Sequence, residues 1–230
     1  GSYVDDIAAF TAQREMAAAP LYAKAYAEAP PITLPDSLLA RESVKSAYQQ
    51  MSKIAAETGV PMPPLQPGSP LTLQQADMMK RAMDDVIYTG KQPGSGIGKT
   101  LLDAMKSTRS ALVDSIDNQA GPTYAQARAA FAGPTQAREA AELGRNLLKE
   151  DATEIPEMIR ALSADQREAL KIGVVQAVKD KAGTQSGQTQ LLKMWANPGL
   201  RDRLKLVFGN DFRSFQRSVL AEERKKIIEG

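Results

Sequence analysis

The spacing of the apolar residues constrains the fold of this chain more than any other feature. They recur at intervals of three and four in one segment after another, which is the period of an amphipathic α-helix. The clearest stripe consists of Leu101, Met105, Thr108, Leu112 and Ile116. No segment of the sequence shows the sustained two-residue alternation of a half-buried strand. We therefore predict an all-α fold, an irregular bundle of about eight to ten helices without sheet, and an elongated arrangement also satisfies the pattern.

The composition favours close contacts between helices. Of the 230 residues, 43% are hydrophobic but only 5% are aromatic, and alanine is frequent. Small side chains let helices approach closely and pack ridge into groove. The formal net charge is +2, from 29 basic and 27 acidic residues. This balance requires neither a nucleic acid nor a membrane surface as a partner.

Cysteine and histidine are both absent from the sequence. Their absence excludes disulfides, thiolate nucleophiles, the usual zinc sites and histidine-based acid–base catalysis. We predict no catalytic, cofactor-binding or metal-ligating residue, no cofactor, and no enzymatic activity.

No apolar run reaches the roughly 18 residues of a transmembrane helix. The start, Gly1-Ser2, is typical of a tag remnant rather than a signal peptide and predicts a domain cut from a longer protein.

Proline marks the expected divisions of the chain. Five of the twelve residues in 59–70 are proline, which predicts a stiff, extended segment. We divide the chain into an N-terminal helical segment (1–58), a proline-rich connector (59–71) and a main helical bundle (72–230), with 1–58 either separate or packed into the bundle. A connection lying over the helices is favoured over a docking peptide, because no basic residue flanks it. Pro20 is expected to break or kink the first helix.

Residues 93–100, Pro-Gly-Ser-Gly-Ile-Gly-Lys-Thr, nearly match a phosphate-binding loop. That motif is G-x-x-x-x-G-K-[ST], and here its first position is Pro93. The loop must also follow a buried strand. The preceding residues, 73–88, have helical spacing instead, and Thr72 with Gln75 forms a capping box at their start. We therefore predict a turn between two helices, and a nucleotide-binding enzyme is the least favoured function. Ser163 with Gln166 forms a second capping box, which opens a predicted helix over 164–182.

Carboxylates offer a second candidate site. Asp84-Asp85 are neighbours in a predicted helix, where adjacent side chains point about 100° apart and cannot clamp one metal unaided. We expect their charges to be solvated or to lie next to a helix cap. Asp114 and Asp117 share a helix face, with Arg109 and Lys106 as possible partners. We expect a surface or inter-helix ion pair rather than an acid–base couple.

Basic residues near the end of the chain are the best candidates for nucleic-acid or partner contacts. They are Arg201, Arg203, Lys205, Arg213 and Arg217. A solvated helix face that complements the helix dipole is the alternative interpretation.

Trp195 is the single tryptophan. It is predicted to cap an apolar core, and the alternative is an interface anchor.

Five segments together resemble a known family. They are residues 73–85 (LQQADMMKRAMDD), 109–117 (RSALVDSID), 124–134 (YAQARAAFAGP), 197–201 (NPGLR) and 206–209 (LVFG). Their order resembles an α-helical domain of large, poorly characterised proteins of tailed bacteriophages and prophages, over residues 15–225. The resemblance implies a virion-associated or internal, ejected protein, found in the virion or in the host bacterial cytoplasm during assembly. It implies other virion subunits, or other parts of a parent chain, as partners, and it assigns no functional residue.

Three classes of function follow from these observations. The first is a structural or interaction module of a phage-like particle. The second is a nucleic-acid-associated helical protein that makes weak contact through its C-terminal basic face. The third is an enzyme, either a nucleotide hydrolase or a hydrolase that uses two carboxylates. The sequence does not fix the oligomeric state, and a homodimer is compatible with it.

Overall fold

The computed structural model describes residues 2–59, 61–149 and 155–229, with the side chains of 222–229 excepted. These residues form twelve α-helices and one 3₁₀ turn, and they contain no strand beyond a single antiparallel bridge between Ile32 and Leu71. The predicted all-α class is confirmed. Two of the twelve helices, α2 and α8, have only four and seven residues and account for the excess over the expected count. The helices are α1 (Tyr3–Glu28), α2 (Asp36–Leu39), α3 (Glu42–Thr58), α4 (Leu73–Lys91), α5 (Lys99–Ala120), α6 (Pro122–Ala130), α7 (Pro134–Asn146), α8 (Ile155–Ala161), α9 (Ala164–Ala182), α10 (Gln185–Trp195), α11 (Pro198–Phe208) and α12 (Phe212–Glu229).

Local sequence signals set most helix ends. Both predicted capping boxes form: Thr72 with Gln75 begins α4, and Ser163 with Gln166 begins α9. In each box the hydroxyl accepts from the glutamine backbone amide and the glutamine side chain accepts in return. Gly59 ends α3 in the left-handed conformation with φ +73°, which glycine adopts without steric cost.

Proline at position 20 does not divide the first helix. The helix α1 runs unbroken from Tyr3 to Glu28 with Pro20 inside it, so the expected break is absent. Ala18, Tyr22 and Ala25 are buried on either side of the proline. Their packing stabilises helical backbone that local propensity alone would interrupt.

The described residues form two compact units. The central unit comprises 15–135, and the terminal unit comprises the described residues of 1–14 and 136–230. This division differs from the predicted boundaries at 58 and 71. The proline-rich connector does not separate two bodies, because α3 before it and α4 after it pack against each other within the central unit. A hydrogen bond also holds the connector against α3, since the Tyr48 hydroxyl donates to the carbonyl of Pro63 at 2.7 Å.

The core of the central unit is made of methionine, alanine and branched aliphatic side chains. Met79 and Met83 of α4 pack in the same interior as Leu112 and Ile116 of α5, and all four are fully buried. The predicted stripe of α5 is therefore buried except at its first position. Leu101 is 56% exposed, because it lies in the first turn of the helix, next to the exposed glycine turn.

The terminal unit has its own core, in which two helix backbones come into direct contact. Its apolar cluster runs from Leu147 through α9, α10 and α11 to Val219. Gly144 of α7 and Gly173 of α9 form the closest approach. A Cβ added at Gly144 would lie 2.1 Å from the carbonyl oxygen of Leu170, and one at Gly173 would lie 1.8 Å from that of Ala141. Only glycine fits at either position.

Candidate functional site

The glycine-rich segment forms a turn between two helices, as predicted. Helix α4 continues through Lys91, so the backbone that leads into Gly94 is coiled rather than extended. Gly94 and Gly96 adopt positive φ angles of +84° and +75°. The Ser95 hydroxyl fixes the turn, since it donates to the carbonyl of Gly90 at 2.7 Å and accepts from the amide of Ile97 at 3.1 Å. The buried strand that a phosphate-binding loop follows is therefore replaced by a helix.

The expectation that Asp84 is solvated is wrong. Its side chain is 2% exposed, and that of Lys80, one turn earlier on α4, is 1% exposed. The two ion-pair at 2.9 Å, and Arg109 of α5 also donates to the Asp84 carboxylate. Lys80 makes a further hydrogen bond to the carbonyl of Ala132. A buried charge requires such partners, because removal from water otherwise costs several kcal/mol.

A second buried carboxylate, Asp77, lies one turn of α4 before Lys80. It accepts hydrogen bonds from the hydroxyls of Tyr26 at 2.9 Å and Tyr124 at 2.8 Å. Arg81 ion-pairs with the same carboxylate at 3.1 Å. Its guanidinium lies over the ring of Tyr22, 5.1 Å from the centroid. Helices α1, α4 and α6 thus meet on one aspartate.

Burial changes the ionisation of these groups. Desolvation, with the charge of Asp77, raises the pKa of Tyr22 to about 12, and the same causes raise the pKa of Tyr26 and Tyr124 above its ordinary value. Desolvation also lowers the pKa of Lys80, against the attraction of Asp84. At neutral pH the three tyrosines therefore stay protonated. Tyr26 and Tyr124 donate to Asp77, whereas Tyr22 donates to the carbonyl of Phe131. We call the set formed by Asp77, Lys80, Asp84 and their partners the buried polar network.

Asp117 pairs with a residue that the sequence analysis did not consider. Arg128 of α6 holds it with two parallel hydrogen bonds of 2.6 and 2.7 Å. The guanidinium of Arg128 also lies 4.5 Å from the ring centroid of Tyr124. Asp117 therefore forms the expected inter-helix ion pair, but with Arg128 rather than with Arg109, which is directed to Asp84. Asp114, its predicted companion, is exposed.

The five predicted basic contact residues do not share one environment. Lys205 is exposed, as are Arg213 and Arg217, which lie one turn apart on α12. Arg201 and Arg203 of α11 are half-buried. Two positions apart on a helix, these two side chains point in nearly opposite directions.

Arg203 instead joins a cleft in the terminal unit that the sequence analysis did not identify. This basic cleft has a volume of about 560 Å³, and its cationic lining is Lys149, Lys181, Lys193 and Arg203. Lys149 follows α7, Lys181 ends α9, Lys193 lies on α10 and Arg203 on α11. Intervals of 32, 12 and 10 residues separate them in the chain. Only the packing of four segments brings them together, so no local pattern could have indicated the cleft.

Trp195 packs at the edge of the terminal core. Its ring meets those of Phe212 and Phe215 edge-on, with centroids 6.4 and 6.3 Å apart. It is half-buried, in keeping with the predicted role of capping a core. Its indole Nε1 is buried and makes no hydrogen bond within the described residues.

Comparison with protein families, with curated proteins and with solved structures finds no match for this chain. The resemblance to the phage helical domain therefore stays a prediction. None of the helices in the described part of the chain has the length and apolar character needed to cross a membrane.

Proposed function

We propose that this chain is a non-enzymatic structural or interaction domain of a phage-like virion or of an internal, ejected phage protein. The buried polar network carries the proposal. Its ionisable groups are engaged with one another inside the central unit, and Asp77, Lys80 and Asp84 are each at most 2% exposed. A catalytic acid, base or nucleophile must face its substrate, whereas these groups connect helices.

The segments that carry the phage resemblance support the same interpretation. Residues 73–85 contain Asp77, Lys80 and Asp84, 109–117 contain the Arg109 that reaches Asp84, and 124–134 contain the Tyr124 that reaches Asp77. The residues of these motifs are thus used to join helices to one another. Motifs of this kind fit a domain that presents a rigid helical surface to other subunits.

Particle purification tests the proposal. We expect capsid or tail genes beside the coding sequence, and we expect peptides of this chain in phage-like particles banded on a density gradient, measured by mass spectrometry. An abundant host cytoplasmic protein serves as the control for carry-over. Recovery of the chain only in the free cytoplasmic fraction, at the level of that control, would contradict the proposal.

A second candidate, association with nucleic acid through the C-terminal basic residues, is favoured by one observation. The side chains of Lys205, Arg213 and Arg217 are exposed, so that their charges are accessible to a phosphate backbone. If these residues contact phosphates, binding of labelled DNA should weaken steeply with salt. The R213Q/R217Q variant should reduce that salt dependence, whereas binding equal to that of the unmodified chain would remove this candidate.

A further inference from the structure

The basic cleft concentrates positive charge in a way that the net charge of the chain does not suggest. Four cationic side chains line about 560 Å³, and none of the described residues that line it is acidic. Asp180, the neighbour of Lys181 in sequence, is engaged elsewhere, since it pairs with Arg145 at 3.3 Å and accepts from Gln176 at 2.7 Å. Like charges brought together between protein walls repel one another and focus a positive potential into the cleft.

The shape and lining of the cleft define the ligand chemistry. Its volume falls within the roughly 300–1,000 Å³ of small-molecule sites. Arg203 offers a planar fork that matches phosphate oxygens, and the lysines offer compact point charges. Gln190, which accepts from Lys181 at 2.9 Å, fixes the position of one of them. The described lining contains no aromatic ring on which a base could stack.

We propose that the basic cleft is a phosphate-binding site that recognises phosphate charge without reading a base. The phosphates would come either from a free oligophosphate or from the backbone of a nucleic acid. This site is distinct from the exposed arginines of α12, and it goes beyond the interaction-domain proposal. It stands whether or not the chain belongs to a phage particle.

Thermal unfolding with sodium tripolyphosphate provides the first test. Because the ligand binds the folded state, tripolyphosphate should raise the melting temperature above that in sodium chloride of equal ionic strength. The K149Q/K193Q variant changes two exposed residues and leaves the core untouched. We expect it to lower the tripolyphosphate affinity about tenfold. K193R keeps the charge and should bind as the unmodified chain does.

R160Q/K179Q is the matched control, since it also removes two exposed charges of the terminal unit but lies outside the cleft. It should retain tripolyphosphate binding. An equal loss in both double variants would mean that net charge rather than the cleft determines binding, and would overturn the proposal. So would a melting temperature that responds no more to tripolyphosphate than to sodium chloride.

Fluorescence anisotropy with labelled oligodeoxythymidylate distinguishes the two sources of phosphate. If a nucleic-acid backbone occupies the cleft, the oligonucleotide should bind, tripolyphosphate should displace it, and each lost contact should reduce the salt slope by about 0.7. If a free oligophosphate is the ligand, tripolyphosphate should bind and the oligonucleotide should not. Both results support the cleft as a phosphate site, and the absence of both kinds of binding refutes it.

Discussion

Lys80 shows at the scale of one residue how this chain uses charge. Its ammonium group is buried, yet it contacts the Asp84 carboxylate and the carbonyl of Ala132. Its partner Asp84 is in turn held by Arg109. Replacing a buried ion pair with well-packed apolar residues is often neutral, whereas removing a single partner is costly. The network therefore specifies how helices meet more than it adds to stability.

Substitution of Asp84 by asparagine should destabilise the central unit strongly. It leaves Lys80 and Arg109 without their common counter-charge, and breaking a buried pair in this way typically costs about 3–5 kcal/mol. Urea unfolding followed by circular dichroism measures the change. D114N, at an exposed position of α5, should alter stability by no more than about 0.5 kcal/mol. A D84N variant as stable as D114N would mean that Asp84 is not a buried partner.

Leu112 tests the assignment of the core face. It is fully buried, and replacing a buried leucine with alanine removes packing and leaves a cavity, at a cost of about 2–5 kcal/mol. Leu101 lies on the same helix but is 56% exposed, so L101A is the matched control and should be nearly neutral. Equal unfolding free energies for the two variants would contradict the packing of α5.

Asp165 gives the stability of the terminal unit a pH dependence. Burial raises its pKa from 3.8 to about 6, although Arg14 ion-pairs with it at 3.2 Å. Between these pH values the native state binds more protons than the unfolded state, so stability falls as the pH rises from about 4 to about 6. The D165N variant should lack this component. Its melting temperature relative to the unmodified chain should therefore rise across that interval, and parallel profiles would contradict the assignment.

At the scale of helices, the ends were predictable where a short polar signal determines them. The capping boxes at Thr72 and Ser163 each need only a hydroxyl and a glutamine three residues later, and both formed as predicted. Helix α1 does not break at Pro20, and buried residues lie on both sides of that proline. The buried Asp84 was also missed. Its pairing with Lys80 one turn earlier would look the same on an exposed helix face, and its second counter-charge, Arg109, lies 25 residues away.

The sequence did not indicate the contact between α7 and α9 either, because a glycine inside a helix is normally only a weak helix former. We expect G144A and G173A each to destabilise the terminal unit by about 1–3 kcal/mol or more. In each variant the added Cβ would clash with a backbone carbonyl oxygen, which cannot move away as a flexible side chain could. G183A is the control: Gly183 lies in the same unit, its φ of −72° suits alanine, and the atom nearest to the new carbon is 3.4 Å away. Thermal unfolding of the three variants decides the matter, and indistinguishable melting temperatures would show that the helices are not this close.

At the scale of the whole molecule, sequence predicted the fold class but not the units. Helical periodicity is a local property, and it extends over most of the chain. Assignment of residues 1–14 to the terminal unit depends on contacts far apart in sequence, such as Arg14 with Asp165. The basic cleft escaped prediction for the same reason, since its cations come from four separate segments.

We expect separately expressed fragments of the two units to behave differently. Residues 15–135 are continuous and contain every partner of Asp77 and Asp84 named above. We therefore expect fragment 15–135 to be helical and to melt cooperatively when expressed alone. Fragment 136–230 lacks the Arg14 partner of Asp165 and should melt at a lower temperature than the same unit in the full chain. Circular dichroism measures both, and an unfolded 15–135 fragment would contradict the division.

The split composition of the terminal unit also bears on its synthesis. Residues 1–14 are translated before the central unit, whereas their partners in 136–230 are translated after it. At about 5–20 residues per second, the central unit emerges and can fold before those partners exist. Arg14 must therefore remain without its partner Asp165 for several seconds. A run of slowly translated codons, or a chaperone bound at that stage, would therefore affect the folding of the incomplete terminal unit and not that of the central unit.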